Sequence, residues 1–239
     1  MSAWPYLSRA RLRKERGEAL ASIAPILLPD NDTKRAGHAH RLVWLLFQDQ
    51  LDATRDFLWR DDGEGRYMIL SQRPPRNPSD LFDLEAKSFA PNLARGDNLR
   101  FVLRANPTVA RKGALATGDR VARVRGKRVD VVMDALAKLP KSEWARQRDA
   151  CASVAGRQWL DEQGTRHGFN VQSLETSNYS QVDISDQERR TRRSRATISV
   201  VDFAGVLRID DPATFLEKLV RGFGSAKAFG NGLMLIRRA

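Results

Sequence analysis

Two histidines, His38 and His40, stand close together in "AGHAHRLVWLLF", and Lys227 lies between two pairs of glycines in "GFGSAKAFGNG". Histidine takes up and gives back a proton near neutrality, and glycines around a lysine allow a backbone to come close to a phosphate. His167 completes the set of 3 histidines, and Cys151 is the 1 cysteine in 239 residues. A single cysteine permits neither an internal disulfide nor a multi-cysteine zinc site. No HxxxH or paired-acid pattern supplies further ligands, so no metal or other cofactor is expected. The histidines then offer either proton transfer or packing. On residue type alone, His40 also fits a half-buried helix-face residue near Trp44, and His38 an exposed polar residue near a helix cap. His167, in "GTRHGF", reads as structural.

A nucleotide cradle must leave a strand and open a helix, so that N–H groups converge on phosphate. The order here is the reverse. "DPATFLEKLVRGFG" offers an aspartate cap, Pro212 in the first turn, and Phe215, Leu216, Leu219 and Val220 at helical spacing. "GLMLIRR" reads as a short final strand. Gly222, Gly224, Gly230 and Gly232 therefore join a helix to a strand, and no Gly-Lys-Ser/Thr follows.

The charge balance narrows the partner. Lys and Arg number 41 against 29 Asp and Glu, a net charge of +12 with a pI near 10.5, and such an excess points to a polyanion, nucleic acid foremost. The longest apolar run, "LVWLLF", is too short to span a membrane. The N-terminus "MSAWPYLSRARLRKERG" has no apolar leader, so a cytoplasmic protein is expected. Basic residues gather in "RRTRRSR" (189–195), which holds Arg190, Arg192, Arg193 and Arg195, and in "RKGALATGDRVARVRGKR" (111–128), which opens with Arg111 and Lys112. A charge run is commonly just a solvated surface. The arginine run, however, leads directly into the alternating stretch "ATISVVDF", which places it at a hairpin tip suited to the phosphates of A-form RNA. No strand carries the aromatic RNP1 pattern, and no helix-turn-helix or zinc module favours DNA.

The elements that must position these groups follow from periodicity. "WPYLSRARL" reads as a strand and "AHRLVWLLFQDQL" as a helix with Leu42, Leu45 and Leu46 on one face. "TRDFLWR" and "RYMILSQ" flank the hairpin signal "DDGEG". "DLFDLEAKSFA" has room for a short helix and a strand. The second half starts with a strand at Leu99 to Arg104 and a basic hairpin-like stretch, "RVARVRGKRVDV". Helices are expected near 130–138 and 153–163, then strands in "FNVQSLETS" and "ATISVVDFAGVLRI" before the tail. This order predicts an α+β chain of two tandem ferredoxin-like domains, 1–95 and 96–239.

The stretches "YLSRARL", "LDATRDFLWR", "LRFVLRANPT", "QWLDEQGTRHGFNV" and "GFGSAKAFGNGLMLI" together resemble the CRISPR-associated endoribonuclease of type I-E systems, the CasE family. The resemblance implies two ferredoxin-like domains, binding of a CRISPR repeat hairpin, and metal-independent cleavage of precursor crRNA at the 3′ base of the stem. It also implies continued residence on the guide RNA beside the other Cascade subunits. In that family the glycine-rich loop packs against RNA, which makes Gly224, Ser225 and Lys227 phosphate-contact candidates. The family's catalytic histidine falls on His40, with Lys34 and Arg35 near the same helix start. Family members carry a tyrosine three residues earlier, where this chain has Gly37, and His38 is the candidate to take its place.

Overall fold

The computed structural model describes residues 5–13, 32–48, 55–77, 80–117, 120–184 and 197–239. Strand β1 (Tyr6–Leu12) buries Ser8, Ala10 and Leu12 and exposes Arg9 and Arg11, the alternation of a strand covered on one face. Helix α1 (Asp32–Trp44) runs into a 3-10 turn (Leu45–Phe47) and buries Ala39, Leu42, Val43, Leu46 and Phe47 against the sheet. The expected helix is thus present but begins earlier, at Asp32. Strands β2 (Phe57–Gly63) and β3 (Arg66–Ser71) reverse through Glu64 and Gly65. Both turn residues have positive φ, 54° and 74°, the conformation that matches the twist of a tight hairpin.

Strand β4 (Phe82–Ser88) pairs with β1 and completes an antiparallel sheet of order β2-β3-β1-β4. Among the described residues no helix lies between β3 and β4, contrary to the sequence expectation. Pro74, Pro75 and Pro78 deprive that segment of helix N–H donors. The Asn77 side chain holds the strand's entry, donating to the carbonyl of Phe82 at 2.7 Å and accepting from its N–H at 3.3 Å.

The second sheet is built from β5 (Asn98–Ala105), β8 (Phe169–Asp183), β9 (Thr197–Ile209) and β10 (Met234–Arg238), in the order β10-β5-β9-β8. Helix α3 (Trp144–His167) crosses from β5 to β8 and α4 (Pro212–Arg221) from β9 to β10, the ferredoxin-like order. Asp211 caps α4, accepting from the N–H groups of Ala213 and Thr214, as the sequence predicts. Inserted after β5 is a two-stranded ribbon, β6 (Thr108–Thr117) with β7 (Arg120–Asp130). The stretch "RVARVRGKRVDV" is therefore one strand of a hairpin, not a hairpin of its own, because its alternation is spent on pairing with 108–117.

Short helix α2 (Val131–Leu136) follows, capped by Asp130, whose Oδ1 accepts from the Val132 N–H at 2.8 Å. The other oxygen of Asp130 accepts from the hydroxyl of Tyr179 at 2.9 Å and from that of Ser199. One carboxylate thereby fastens the root of the ribbon to β8 and β9. Burial is the main cause that pushes the Tyr179 hydroxyl up to about 12, so it stays a donor.

Each sheet has its own core, and a small third cluster joins them. Leu58 and Leu70, cross-strand neighbours on the first sheet, pack with Leu233 just before β10. Leu233 is 1% exposed, and it comes from the far end of the chain. Leu233→Ala is expected to cost about 2–5 kcal/mol, the usual range for a buried leucine. Urea unfolding checks this; an unchanged midpoint would show that the joint does not depend on Leu233.

Candidate active site

The site begins with the turn from α4 to β10. Gly222 has φ 76°, and a Cβ there would come within 2.7 Å of Leu58 Cδ1. Gly230, also at φ 76°, would bring one to 3.1 Å from the Trp59 ring. Bare backbone at these two points lets the loop press against β2. The loop is then knitted to β5 and to itself: Gly232 N–H donates to Arg104 O at 2.7 Å, Phe223 N–H to Gly232 O at 2.9 Å, and the Asn231 amide to Phe229 O at 3.1 Å. Ala226 takes a left-handed φ of 53°, uncommon for a residue with a Cβ. It leads into the 3-10 turn Lys227–Phe229.

That geometry aims the carbonyl of Ala228 at the first domain. It accepts from Trp59 Nε1–H at 3.2 Å and stands 2.7 Å from His40 Nδ1. A carbonyl can only accept, so Nδ1 carries the proton and the neutral ring leaves Nε2 with its lone pair. The ring is half-buried, 6.2 Å from Trp44 edge-on and 6.0 Å from Phe229 between centroids. Burial lowers the His40 pKa below its ordinary value, the Ala228 carbonyl opposes that, and the charges of Arg55 and Arg41 lower it further. The result is a neutral imidazole in a fixed tautomer, with Nε2 as an accepting base at neutral pH.

The structure brings Lys227 to this place but scatters the other expected residues. Lys227 is half-buried, its Nζ donates to Arg221 O at 2.7 Å, and its pKa is lowered by burial, then by Arg55 and Arg128. Lys34 and Arg35 sit in the first turns of α1, with side chains outside the described residues. His38 is half-buried on another face of α1, since residues two apart on a helix do not face each other. Arg111 is at the root of the ribbon, paired with Asp134 of α2. Lys112 stands at a break in register between β6 and β7, its side chain outside the described residues.

Gly224 and Ser225 meet the β5–β6 joint. A Cβ on Gly224 would lie 2.5 Å from Asn106 O, and Ser225 donates its N–H to the same oxygen at 3.2 Å. Arg190, Arg192, Arg193 and Arg195 lie outside the described residues, between the paired ends of β8 and β9. Among the described residues no three His, Cys, Asp or Glu side chains come together as a metal site, and no helix is long and apolar enough to cross a membrane.

Sequence reasoning did not single out Trp59, Ala228, Phe229 or Arg55. Trp59 and Arg55 carry a weak signal, a tryptophan and an unbalanced arginine at the edge of a strand. A main-chain carbonyl has none. Beside this site a groove of about 680 Å³, lined in part by Trp59, Arg60, Asp62, Arg104, Asn178 and Phe229, separates β2 from the β8–β9 side.

The model of the CRISPR associated protein family matches residues 5–238. The chain belongs to this family. It is 30% identical to the CRISPR-associated endoribonuclease Cse3 of Thermus thermophilus over 158 residues, which are 63% of this chain and 60% of that protein. The matched stretch is thus less than two thirds of that relative's length. Thermus thermophilus Cse3 bound to an RNA representing a pre-cleavage complex has the same fold, with a TM-score of 0.61 at 22% identity over 98% of this chain and 99% of that one. A chain of a CRISPR RNA-guided surveillance complex also matches, with a TM-score of 0.55 at 18% identity over 98% of this chain and all 100% of that one.

The site makes a direct prediction about protonation. The His40 imidazole is expected to titrate below the ordinary histidine value of 6.5, read from its Cε1–H resonance across a pH series and assigned with His40→Gln. A midpoint at or above 6.5 would contradict the buried, cation-flanked setting.

Proposed function

We propose that this protein is a metal-independent endoribonuclease that binds CRISPR repeat hairpins, cuts precursor crRNA at the 3′ base of the stem, and stays on the mature guide as a Cascade subunit in the cytoplasm. The observation that carries the proposal is the fixed tautomer of His40, whose Nδ1 is engaged by Ala228 O at 2.7 Å. In the reaction, Nε2 takes the proton of the 2′-hydroxyl and the 2′-oxygen bonds to the adjacent phosphorus. The bond from phosphorus to the 5′-oxygen breaks, and that oxygen takes a proton. The products are a 2′,3′-cyclic phosphate and a 5′-hydroxyl. His38 is the proposed donor of the second proton, in place of the tyrosine absent at Gly37.

Two ferredoxin-like domains are proposed to divide near residues 95 and 96, supported by the gap between β4, ending at Ser88, and β5, opening at Asn98. Arg111, Lys112 and Arg190 to Arg195 are proposed to hold the stem, with Lys34, Arg35, Gly224, Ser225 and Lys227 nearer the cut. Gly37 favours a second reading, a non-catalytic hairpin-binding subunit. Apart from Gly37, its chain neighbours and the backbone of its own helix, no heavy atom of the described residues lies within 4 Å of where a Cβ on Gly37 would stand, so nothing described occupies the missing ring's root.

Single-turnover cleavage of the repeat RNA decides between the two. His40→Ala is expected to slow cleavage by about 10²-fold or more, the scale of a lost proton-transfer group, with little change in affinity. A 2′-deoxy residue at the cut should block cleavage and preserve binding. The base must be unprotonated, so the acid limb of the pH–rate profile should rise through a midpoint below the ordinary histidine range, and a histidine donor at His38 adds a falling limb where that ring loses its proton. A similar loss in His38→Ala would assign it the tyrosine's role; a small effect would mean that water supplies the second proton. Wild-type cleavage by His40→Ala would overturn the assignment, and an inert wild-type protein that still binds would favour the second reading.

The arginine run has its own readout. Neutral replacements of Arg190, Arg192, Arg193 and Arg195 should flatten the salt dependence of hairpin binding by about 0.9 in log–log slope per lost phosphate contact, if the stem behaves as a B-form duplex. An unchanged slope would leave the run as a solvated surface.

A further inference from the structure

Arg55 lies just before β2, near enough for its charge to act on both His40 and Lys227, and its environment is unlike that of the other inward-facing arginines. Arg104 is held by Asp202 at 2.8 Å, Arg73 by Asp56 at 2.9 Å and Arg60 by Asp62 at 2.9 Å. Arg55 is half-buried, and its Nη1 is buried with no hydrogen-bond partner. Burial alone lowers its pKa; no described carboxylate raises it. The neighbouring carboxylate, Asp56, gives its Oδ2 to Arg73, and its buried Oδ1 makes no hydrogen bond to Arg55 or any other described group.

Leaving a buried donor unmade costs about 1–3 kcal/mol, and more when the group is charged. Here the charge is also surrounded by its own sign. The field of Arg55 reaches His40, where Arg41 adds to it, and reaches Lys227, where Arg128 adds to it. No described carboxylate acts on either group. Three groups that gain from an anion therefore converge from three separate parts of the chain: α1, the approach to β2, and the loop before β10. The order of the groups also matters. Lys227 adjoins Ala228, whose carbonyl fixes the His40 ring, and its Nζ gives one hydrogen to Arg221 O at 2.7 Å, which leaves two of the ammonium's three donors for an anion.

We infer that Arg55 and Lys227 form the seat of a phosphodiester group at His40, with Arg55 facing its non-bridging oxygens. A guanidinium presents a planar fork that matches two such oxygens, whereas a lysine acts as a point charge. Resting on the proposed nuclease reading, this phosphate is the scissile one, and Arg55 is a catalytic residue that offsets the charge growing on phosphorus as the 2′-oxygen attacks. The bonds made and broken are those already given; Arg55 gives up no proton, since guanidinium stays charged.

Two measurements separate this inference from the nuclease reading. In the first, the His40 resonance of the free full-length protein is titrated with pH, with and without inorganic phosphate. A bound anion favours the imidazolium, so phosphate should raise the His40 midpoint in the wild type. Arg55→Gln should raise the phosphate-free midpoint by removing a cation, and should weaken the phosphate effect at least tenfold. Arg55→Lys, which keeps the charge, should stay between the two and controls for folding. The same phosphate response in wild type and Arg55→Gln, or none in the wild type, would overturn the seat.

In the second, single-turnover cleavage is followed, and Arg55→Gln should lose about 10²-fold, the scale of removing one donor to a developing oxyanion. Cleavage by Arg55→Gln at the wild-type rate would refute its catalytic role and leave the nuclease reading standing. An Arg55-dependent phosphate response in a protein that leaves the repeat RNA uncut would uphold the anion seat and refute the nuclease reading.

Discussion

The carbonyl of Ala228 is the constraint on which the site depends. It receives the Trp59 indole and the His40 ring at once, so it ties a strand and a helix of the first domain to a loop of the second. A histidine on a helix would otherwise turn freely and present either nitrogen. Once Nδ1 is committed, the other nitrogen alone is left to accept a proton. Half-burial then keeps the ring neutral, because removing water penalises the charged form. The packing interpretation of His40 and the catalytic one describe the same contacts: its place between Trp44 and Phe229 holds the ring, as a proposed base requires.

The glycines serve that carbonyl. Their spacing invites comparison with a phosphate cradle, yet Gly222 and Gly230 are needed where the loop meets Leu58 and Trp59, and Gly224 where it meets Asn106. Backbone N–H groups that a cradle would turn toward phosphate are used internally, Gly232 with Arg104 and Ser225 with Asn106. Close approach is indeed their role, but here it is to protein. The loop's cation, Lys227, is its contribution to an anion.

Charge is sorted by the fold into two kinds. Exposed pairs such as Arg9–Glu85 and Arg157–Asp161 contribute little to stability, as water screens them. Arg60 of β2, Arg73 just after β3 and Arg104 of β5 each have a carboxylate. Among the described residues no carboxylate raises the pKa of Arg55 or Lys227, so their charge is left uncompensated near the His40 ring. The ribbon is a separate basic element, fastened at its root by Asp130 to Tyr179 and Ser199.

The sequence by itself determined the elements and their order. Alternation in "YLSRARL" and "LRFVLRANP", the turn in "DDGEG" and the aspartate and proline that open α4 are local signals, and each appears where it is expected. The charge count raised the expectation of a polyanionic partner, and a resemblance spread over the chain singled out the candidate base. Where local signals competed, sequence reading failed. "DLFDLEAKSFA" has helical composition, yet pairing with β1 and burial of Phe82 make it a strand. "RVARVRGKRVDV" looked self-contained because its partner strand has no apolar pattern of its own. Only the tertiary structure decided which histidine nitrogen is free, that the glycines form a joint, and that Arg55 has no counter-charge among the described residues. Those properties belong to pairs of groups 188 and 169 residues apart, such as His40 and Trp59 with Ala228, and a main-chain oxygen leaves no mark in a sequence.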